Sequence, residues 1–406
     1  MKIAIVSDTH LGYERFAEDA YAQAKEALEK ASTMADVIIL PGDIFDKRFP
    51  KPEVLAQAFN LFRDLSRKEW GAKVTSFSSA SQKSYTNVPI IAISGTHERT
   101  TVGKENPLNL LALAGLLVDT SEALTIVEKD GEKVAIYGLG GLSEENVKQK
   151  LSELKPKPVQ GVFSIFMFHQ SIYELMPFNE DFIHFSDLPE GFDLYVDGHI
   201  HSKVESTVYG KTFLIPGSTV LTQLKEEEQG KKGFFVFDTK SYSYTFEQIN
   251  SRPFFAKRIQ FSNAEPSLIS KACDEFISST IGKSGASVPI IRLILEGTVA
   301  KGASSADIML NSLSRKYMSN AILSIDASRL ESEGVRESIE QIRESKLGDT
   351  PIKEFGMAML GAKLKELNSK WNNYTELFNM LSSDSSKEKI IKEAMEYIEG
   401  IGAATA

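Results

Sequence analysis

Two hydrophobic patterns alternate along the first 250 residues of the chain. Short, continuously apolar runs are typical of strands that helices cover on both faces, and the segments between them carry apolar residues at helical spacing. The predicted strands are KIAIVSD (2–8), DVIILPGD (36–43), VPIIAISG (88–95), VAIYGLG (134–140), FSIFMFH (163–169) and DLYVDGH (193–199). The predicted helices span residues 15–33, 52–68, 106–117 and 144–154. This order indicates an α/β core.

The segment 71–87, GAKVTSFSSASQKSYTN, is rich in serine, and its apolar residues show no regular spacing. These features predict a long surface loop. Further on, the strand FFVFD (234–238) and the run YSYTFEQI predict an antiparallel edge of the sheet.

A second pattern follows this core and predicts a small α+β domain. A first strand precedes a helix (265–280), a strand (289–297), a helix (305–317) and a strand (321–326). Beyond residue 330 the periodicity is only helical. We therefore predict domains at 1–252, 253–330 and 331–406.

Composition narrows the class of protein. No apolar run approaches the roughly 20 residues of a membrane span, and the N-terminus reaches Asp8 and His10 too early for a signal peptide. The single cysteine, Cys273, excludes an internal disulfide and favours a reducing cytoplasm, where it would be a small residue on a helix. The net charge of −9 argues against a surface broadly covered with cations for nucleic acid.

Acidic and imidazole side chains collect at the ends of the predicted strands. The set consists of Asp8, His10, Asp43, His97, His169, His199 and His201. Ligands of open α/β sheets bind at this edge, and carboxylates with imidazoles but no thiolate suit manganese, iron or zinc. The pattern predicts a metal centre. His184 lies outside it, and we assign this residue to packing or to the solvated surface.

The spacing within each motif suggests how the ligands converge. In Asp8-Thr9-His10, residues two apart would point to the same side of an extended chain. Gly198-His199-Ile200-His201 would present two imidazoles in the same way. Asp43 has two carboxylate oxygens and could bridge two metals, and Gly42 before it allows a close approach of the backbone.

Five motifs, DxH, GD, GxHE, a histidine at a strand end and GHIH, each follow a strand in this order. The conjunction resembles the calcineurin-like metallophosphoesterases. SDTHLGYE, LPGDIFDKRFP, DLPEGFDLYVDGHIH, IPGS and the RPF exit are similar to the archaeal branch of the Mre-eleven/SbcD family of double-strand-break repair nucleases. This resemblance covers about residues 1–255. It implies a four-layer α/β/β/α sandwich with a small α+β cap domain and a helical C-terminal tail.

The resemblance also implies the role of each site residue. Asp8, His10 and His201 would hold a first Mn²⁺, His169 and His199 a second, and Asp43 would bridge the two ions. His97 would lie near the scissile phosphate, where it could stabilise the leaving oxygen or donate a proton to it. Two such cations would activate water at neutral pH. The implied activity is a 3'–5' exonuclease on duplex ends and an endonuclease on single strands.

Three positions differ from the residues that archaeal members of the family commonly have. Thr96 stands where the family has Asn, whose side-chain oxygen binds the second metal. The threonine oxygen is one bond closer to the backbone, so we expect a weaker second metal site. Glu98 stands where the family usually has Asp, and we expect it to point away from the site, which leaves the group that orients His97 unidentified. Asp46 matches SbcD-type relatives, whereas archaeal and eukaryotic members commonly have His, so the balance of exonuclease and endonuclease activity stays open.

The resemblance implies three kinds of partner. DNA would be contacted by cations that ring the metal site and bind phosphates without reading sequence. These cations are Arg15, Lys47, Arg48, Arg99, Lys104 and Lys203. A homodimer would form through helices near 52–66 and 106–117. An SbcC-type ABC ATPase with a long coiled coil would bind the C-terminal helices, of which 387–401 carries an apolar stripe.

Two other functions compete with a manganese-dependent DNA nuclease. A metallophosphoesterase of small phosphodiesters or phosphoproteins would share the metal ligands but would not need a cap domain or tail helices. A non-catalytic DNA-end tether and ATPase scaffold would explain Thr96 as a sign of a degenerate second metal site. The seven strand-end residues argue against the scaffold, because decay would be expected to remove more than one ligand.

Overall fold

The computed structural model describes residues 1–78, 81–99, 105–285 and 287–332, together with the single positions 357 and 361. The α-helices are α1 (Ala17–Met34), α2 (Pro52–Ser66), α3 (Pro107–Leu113), α4 (Glu144–Leu154), α5 (Pro266–Ile281) and α6 (Leu310–Tyr317). The strands before residue 140 are β1 (Lys2–Ile5), β2 (Val37–Pro41), β3 (Lys73–Phe77), β4 (Gln82–Thr86), β5 (Ile90–Ile93), β6 (Val118–Asp119), β7 (Ala123–Lys129) and β8 (Glu132–Leu139). The later strands are β9 (Phe163–Phe168), β10 (Leu194–Asp197), β11 (Val204–Val208), β12 (Lys211–Ile215), β13 (Gly233–Asp238), β14 (Ser243–Gln248), β15 (Phe254–Ala264), β16 (Ile290–Val299) and β17 (Ile322–Ser332).

Two large sheets form the core. One has six strands in the order β14-β13-β1-β2-β5-β6, and the other has eight in the order β11-β12-β10-β9-β8-β7-β3-β4. The central pairs β1–β2, β2–β5, β8–β9 and β9–β10 are parallel. Their carboxyl ends therefore share one edge of each sheet. The predicted antiparallel edge is confirmed, since β14 pairs only with β13 within the described chain.

The sheets and helices form the predicted four layers. One buried cluster joins the six-stranded sheet to the eight-stranded one, for example Ile3 and Ile39 with Ile165 and Val196. The same cluster takes in the apolar faces of α1 and α2. A second cluster packs Val147 of α4 against the other face of the eight-stranded sheet. The α/β core predicted from the sequence and the α/β/β/α sandwich implied by the family resemblance are confirmed.

The predicted loop at 71–87 is wrong, because its residues 73–77 and 82–86 form the paired strands β3 and β4. Their register runs from Lys73 opposite Thr86 to Phe77 opposite Gln82, and β3 also pairs with β7. The inward positions of β3 include a serine, Ser76, which accepts a hydrogen bond from Thr125 at 3.2 Å. Because Ser76 is polar but buried with its hydrogen bond made, β3 lacks the alternation of apolar and polar residues by which a strand is recognised.

Two predicted helices are shorter than expected. The helix predicted over 106–117 is only Pro107–Leu113, because Gly115 adopts φ +71° and turns the chain towards β6. The helix predicted over 305–317 divides into a 3₁₀ turn, Ser305–Asp307, and α6. The strand β7 was not predicted, although its buried positions alternate regularly.

The described chain forms two compact units. The first consists of Met1–Lys257, Glu275–Leu293 and Ser314–Ile325, and the second of Arg258–Asp274, Ile294–Leu313 and the described part of Asp326–Ala406. The strands β15, β16 and β17 form a three-stranded sheet in that order. The division at residues 252 and 330 stays a prediction.

Three further sequence predictions concern Cys273, membrane spans and the C-terminal helices. Cys273 is buried on α5, and burial raises the pKa of its thiol to about 11. Among the described helices, none is long and apolar enough to cross a membrane. The predicted helical tail, with the stripe on 387–401, lies outside the described residues except for positions 357 and 361.

Candidate metal centre

The candidate ligands meet where the carboxyl ends of the two large sheets come together. Asp8 and His10 follow β1, Asp43 follows β2, and His97 follows β5, all in the six-stranded sheet. His169 follows β9, and His199 and His201 follow β10, in the eight-stranded sheet. The backbone N–H of His199 donates to Asp8 Oδ1 at 3.1 Å and joins the two sets.

Four of these residues have a left-handed backbone, with φ between +43° and +69°. They are Asp8, His10, Asp43 and His199. The reasoning from strand alternation was therefore wrong: β1 already ends at Ile5, and sharp turns bring Asp8 and His10 to the same place. Non-glycine residues adopt this conformation only where the surrounding structure imposes it, which is common at functional sites.

Three groups of potential ligand atoms occur among the described residues, and the atoms of each group lie within 4.8 Å of one another. The first contains Asp8, His10, Asp43 and His201, the second contains Asp43, His169 and His199, and the third contains His10, Asp46 and His97. Asp43 belongs to the first two. His199 and His201, which the spacing predicted on one side, point into different groups. The first two groups have the same members as the ligand sets that the family resemblance implies, and the third brings His97 and Asp46 close to His10.

Two of the imidazoles, those of His169 and His201, have one nitrogen in a hydrogen bond outside the group while the other faces into it. His169 Nδ1 bonds to the carbonyl oxygen of Pro41 at 2.7 Å, and its Nε2 lies 3.2 Å from Asp43 Oδ2. His201 Nδ1 contacts the hydroxyl of Thr222, and its Nε2 lies 3.1 Å from Nε2 of His10. Metal-binding histidines are usually held in this way, by a hydrogen bond at the nitrogen that does not bind the metal. Convergent imidazole nitrogens and carboxylates fit divalent cations.

The electrostatics of the buried groups point in the same direction. Burial raises the pKa of Asp8, and the nearby Asp43 carboxylate raises it further. Burial disfavours charge on His169, but Asp43 outweighs this effect and raises the pKa of His169 to about 10. Burial and His169 lower the pKa of His199 to about 3. The carboxylates of Asp8 and Asp43 thus lie close together in a buried site, where a bound cation would stabilise their negative charge.

Thr96 and His97 lie beside Asp43. Thr96 Oγ1 donates to Asp43 Oδ2 at 3.2 Å, and the backbone N–H of His97 donates to Oδ1 at 2.9 Å. The His97 ring is about two-fifths exposed and packs edge-on at 5.0 Å from the His10 ring. Its Nδ1 bonds to the backbone carbonyl of Asp46 at 2.6 Å. The group that orients His97 is thus a carbonyl, which the sequence did not identify, and the Asp46 carboxylate lies 3.4 Å from His10 Nδ1.

Glu98 is fully buried and belongs to none of the ligand groups found among the described residues. Its carboxylate accepts the backbone N–H groups of Phe45 at 2.7 Å and Gly95 at 2.6 Å. These bonds join the loop after β2 to the loop after β5. Burial and the neighbouring Asp43 raise the pKa of Glu98 to about 7. The dipeptide His97-Glu98 was visible in the sequence, but its buried partners were not.

Sequence reasoning also missed three polar residues behind His201, namely Thr222, Glu228 and Lys232. Glu228 and Lys232 are buried and belong to the run LKEEEQGKK. A run with this composition ordinarily indicates a solvated loop, so no local signal could have found them.

The basic residues predicted to contact DNA have various surroundings. Lys47 pairs with Glu14 at 2.8 Å, and Lys203 pairs with Glu205 at 2.6 Å. Arg15 lies over the ring of Phe16. Arg48 is exposed, burial lowers the pKa of the half-buried Arg99, and Lys104 lies outside the described residues. His184, which was assigned to packing or the surface, contacts Glu174 and belongs to none of these ligand groups.

Several double-strand break repair proteins are similar to this chain. It is 29% identical over 261 residues to the double-strand break repair protein MRE11 of Encephalitozoon cuniculi, covering 58% of this chain and 45% of that protein. The DNA double-strand break repair protein Mre11 of Sulfolobus acidocaldarius is 26% identical over 323 residues, covering 74% of this chain and 76% of that protein. The protein of that name from Methanopyrus kandleri is 29% identical over 262 residues, covering 59% and 54%. The chain thus spans only about half the length of the first and third of these relatives.

The similarity to Mre11 proteins confirms the resemblance stated from the motifs. The family model for calcineurin-like phosphoesterases matches residues 1–203, which is half of the chain and includes every strand-end ligand. These residues contain the strands β1 to β10 of the two sheets and all members of the two ligand groups that share Asp43. The chain belongs to the calcineurin-like phosphoesterase family.

Proposed function

We propose that this chain is a manganese-dependent DNA nuclease that processes double-strand breaks. The observation that carries the proposal is the pair of ligand groups that share Asp43, with the exposed His97 beside them. Paired cations that share a carboxylate are a common means of cleaving phosphodiesters. The names of the Mre11 relatives support DNA as the substrate.

The residues would divide the work as follows. Asp8, His10 and His201 would hold one Mn²⁺, His169 and His199 would hold the other, and Asp43 would be a ligand common to both sets. When bound, such a pair supplies activated water and neutralises the phosphodiester oxygens. The protein contributes rigid ligands, since buried loops hold each side chain in place.

His97 would act on the leaving oxygen. A carbonyl can only accept a hydrogen bond, so the bond to Asp46 O places a proton on His97 Nδ1. Its Nε2 is then the nitrogen that meets the substrate, and it lies 4.0 Å from Asp43 Oδ2. In its doubly protonated form, His97 can donate a proton to the departing oxygen or stabilise its charge. Cleavage would proceed as a 3'–5' exonuclease on duplex ends and as an endonuclease on single strands.

DNA phosphates would be bound by the predicted cations, chiefly Arg48 and Arg99, together with Arg15, Lys47, Lys104 and Lys203. The ion pairs of Lys47 and Lys203 are exposed, so phosphates can compete for these cations at little cost. Binding of this kind releases counterions, and affinity should fall steeply as salt rises.

Two protein partners complete the proposal. A homodimer would form through α2 and α3, and the exposure of Leu110 and Leu113 on α3 supports this surface, since Leu113 is 72% exposed. An SbcC-type ABC ATPase with a coiled coil would bind the C-terminal helices, which are the predicted domain 331–406. The predicted cap domain at 253–330 would cover the DNA.

The test is cleavage of end-labelled duplex and single-stranded DNA by the full chain in manganese. We compare the wild type with His97→Asn and with His184→Asn, a matched control that changes a histidine outside both ligand groups. The nuclease predicts cleavage that requires manganese, is lost in His97→Asn and is retained in His184→Asn.

Other outcomes would identify the competing functions. A folded wild-type protein that binds DNA but does not cleave it in manganese would favour the DNA-end scaffold with a degenerate second metal site. Hydrolysis of a small phosphodiester such as bis(p-nitrophenyl) phosphate without cleavage of DNA would favour a metallophosphoesterase of small substrates.

A further inference from the structure

A buried polar network lies directly behind His201, on the side away from the first ligand group. The Nδ1 atom of His201 contacts the hydroxyl of Thr222. That hydroxyl in turn lies 3.4 Å from Oε1 of Glu228, to which it donates. The contacts form a series from the imidazole through a hydroxyl to a carboxylate.

Glu228 is the centre of this network. Only 4% of its surface is exposed. Its carboxylate accepts the backbone N–H of Thr222 at 3.2 Å and that of Gln223 at 2.9 Å, with a longer bond from Lys225 at 3.4 Å. A buried carboxylate with this many donors holds the loop at 222–225 in a single conformation, and thereby holds the Thr222 hydroxyl beside His201.

Lys232 completes the network from the other side. Its Nζ donates to the backbone carbonyl of His201 at 3.0 Å, to Ser218 Oγ at 3.0 Å and to Glu228 Oε1 at 3.4 Å. All three donor positions of the ammonium group are therefore used. Lys232 thus contacts the main chain of His201, and Glu228 is connected to its ring through the Thr222 hydroxyl.

The arrangement of the hydrogen-bonding groups favours one tautomer of His201. The carboxylate of Glu228 can only accept, and a Thr222 hydroxyl that donates to it accepts in turn from His201 Nδ1. The proton of the neutral imidazole is then on Nδ1, and the lone pair of Nε2 faces His10 and Asp8, which lie at 3.1 Å and 3.9 Å. This tautomer is the one that a cation in the first group requires.

We propose that Thr222, Glu228 and Lys232 are positioning residues that fix the tautomer and the orientation of His201 for metal binding. The inference rests on the proposed metal centre and assigns a role to residues outside it. They resemble in logic the carboxylate–histidine pairs behind other metal sites, with a hydroxyl inserted between carboxylate and imidazole. Two residues of the charged run LKEEEQGKK, Glu228 and Lys232, are therefore part of the buried interior.

The first experiment measures manganese binding by calorimetry on the metal-free full chain. Thr222→Val keeps the shape of the side chain and removes the hydroxyl, and Thr222→Ser restores it. We expect Thr222→Val to weaken one of two manganese sites by about 10-fold or more, the usual effect of losing a group that orients a ligand. Thr222→Ser should bind like the wild type. Glu227→Gln, an exposed neighbour of Glu228, is the matched control and should also bind normally.

The second experiment reads the tautomer without metal. The ring nitrogens of ¹⁵N-histidine-labelled, metal-free protein report which nitrogen carries the proton, and a His201→Asn sample assigns the signal. We expect His201 to be protonated on Nδ1 in the wild type and in Thr222→Ser, and to populate both tautomers in Thr222→Val. A residue that served only to keep the loop folded would not change this ratio.

The outcomes separate this inference from the metal centre itself. If the wild type binds two manganese ions and Thr222→Val binds them equally well, the inference is wrong and the centre stands. Equal weakening of both sites, or failure of Thr222→Ser to restore binding, would also contradict it, because the effect would then be a general loosening. If the wild type binds no manganese, both the proposed metal centre and this inference are wrong.

Discussion

The hydroxyl of Thr96 donates to the carboxylate of Asp43, with Oγ1 3.2 Å from Oδ2 and 3.4 Å from Oδ1. Asp43 is the residue that the two ligand groups share. The group with Asp8, His10 and His201 offers four ligands, whereas the group with His169 and His199 offers three. Thr96 thus contacts the shared ligand, and the second group has one ligand fewer than the first.

We predict that Thr96→Asn tightens manganese binding at the second position by about 10-fold. The amide oxygen extends one bond beyond the threonine hydroxyl and can act as a further oxygen ligand, to which manganese is well suited. Titration calorimetry on the metal-free protein measures the change. Thr96→Val, which offers no oxygen, is the comparison and should not gain affinity. Unchanged or weaker binding in Thr96→Asn would contradict the explanation of this position.

Glu98 should contribute strongly to stability. Replacing it by Gln turns one acceptor oxygen into an NH₂ group that faces a buried backbone N–H, either that of Phe45 or that of Gly95. Leaving a buried donor unsatisfied costs about 1–3 kcal/mol of unfolding free energy. Urea unfolding measures the loss, and Glu69→Gln, at an exposed position, is the control. Equal stability of the two variants would show that Glu98 does not join the loops energetically.

Manganese should stabilise the folded protein. The ligands converge only in the native state, so a bound cation favours that state by about 4 kcal/mol when its free concentration is about a thousand times the Kd. The melting temperature should fall after treatment with a chelator and recover when manganese returns. In Asp43→Asn, which removes the shared carboxylate, the manganese-dependent shift should shrink. A shift as large as that of the wild type would exclude Asp43 as a shared ligand.

Asp36, far from the candidate site, should make stability depend on pH. Burial opposes ionisation of Asp36, but Lys129 at 2.6 Å and the backbone N–H of Lys2 at 2.8 Å outweigh it and lower the pKa of Asp36. The contribution is therefore complete above the unfolded pKa of about 3.9 and is lost as the pH falls through the lowered folded value.

The variant Asp36→Asn should lose about 0.5–1 kcal/mol of unfolding free energy at about pH 7, in keeping with a partly exposed ion pair. The difference from the wild type should disappear at a pH below the folded pKa of Asp36. Denaturant unfolding at both pH values measures it, with Asp130→Asn as an exposed control. A difference that persists in acid would mean that the charge of Asp36 is not its cause.

The sequence by itself was sufficient for an α/β core and for a cluster of carboxylates and imidazoles at the strand ends, whereas the four layers and the division of the ligands into two sets came from the family resemblance. Strands that are buried on both faces must be continuously apolar, so β1, β2, β5, β9 and β10 were visible as runs. Because parallel strands place their carboxyl ends at one edge, motifs that follow them, such as Asp8 and His169, must lie close together. These inferences depend on local pattern and on general rules of α/β sheets.

Only the tertiary structure decided the features that depend on partners distant in sequence. Ser76 is tolerated inside the hairpin at 71–87 because Thr125 donates to it, and Glu98 is buried because Phe45 and Gly95 offer it two N–H groups. The backbone turn at His199 sends it and His201 into different groups. Burial of a polar residue is favourable only when its hydrogen bonds are made, and a linear pattern does not contain the groups that make them.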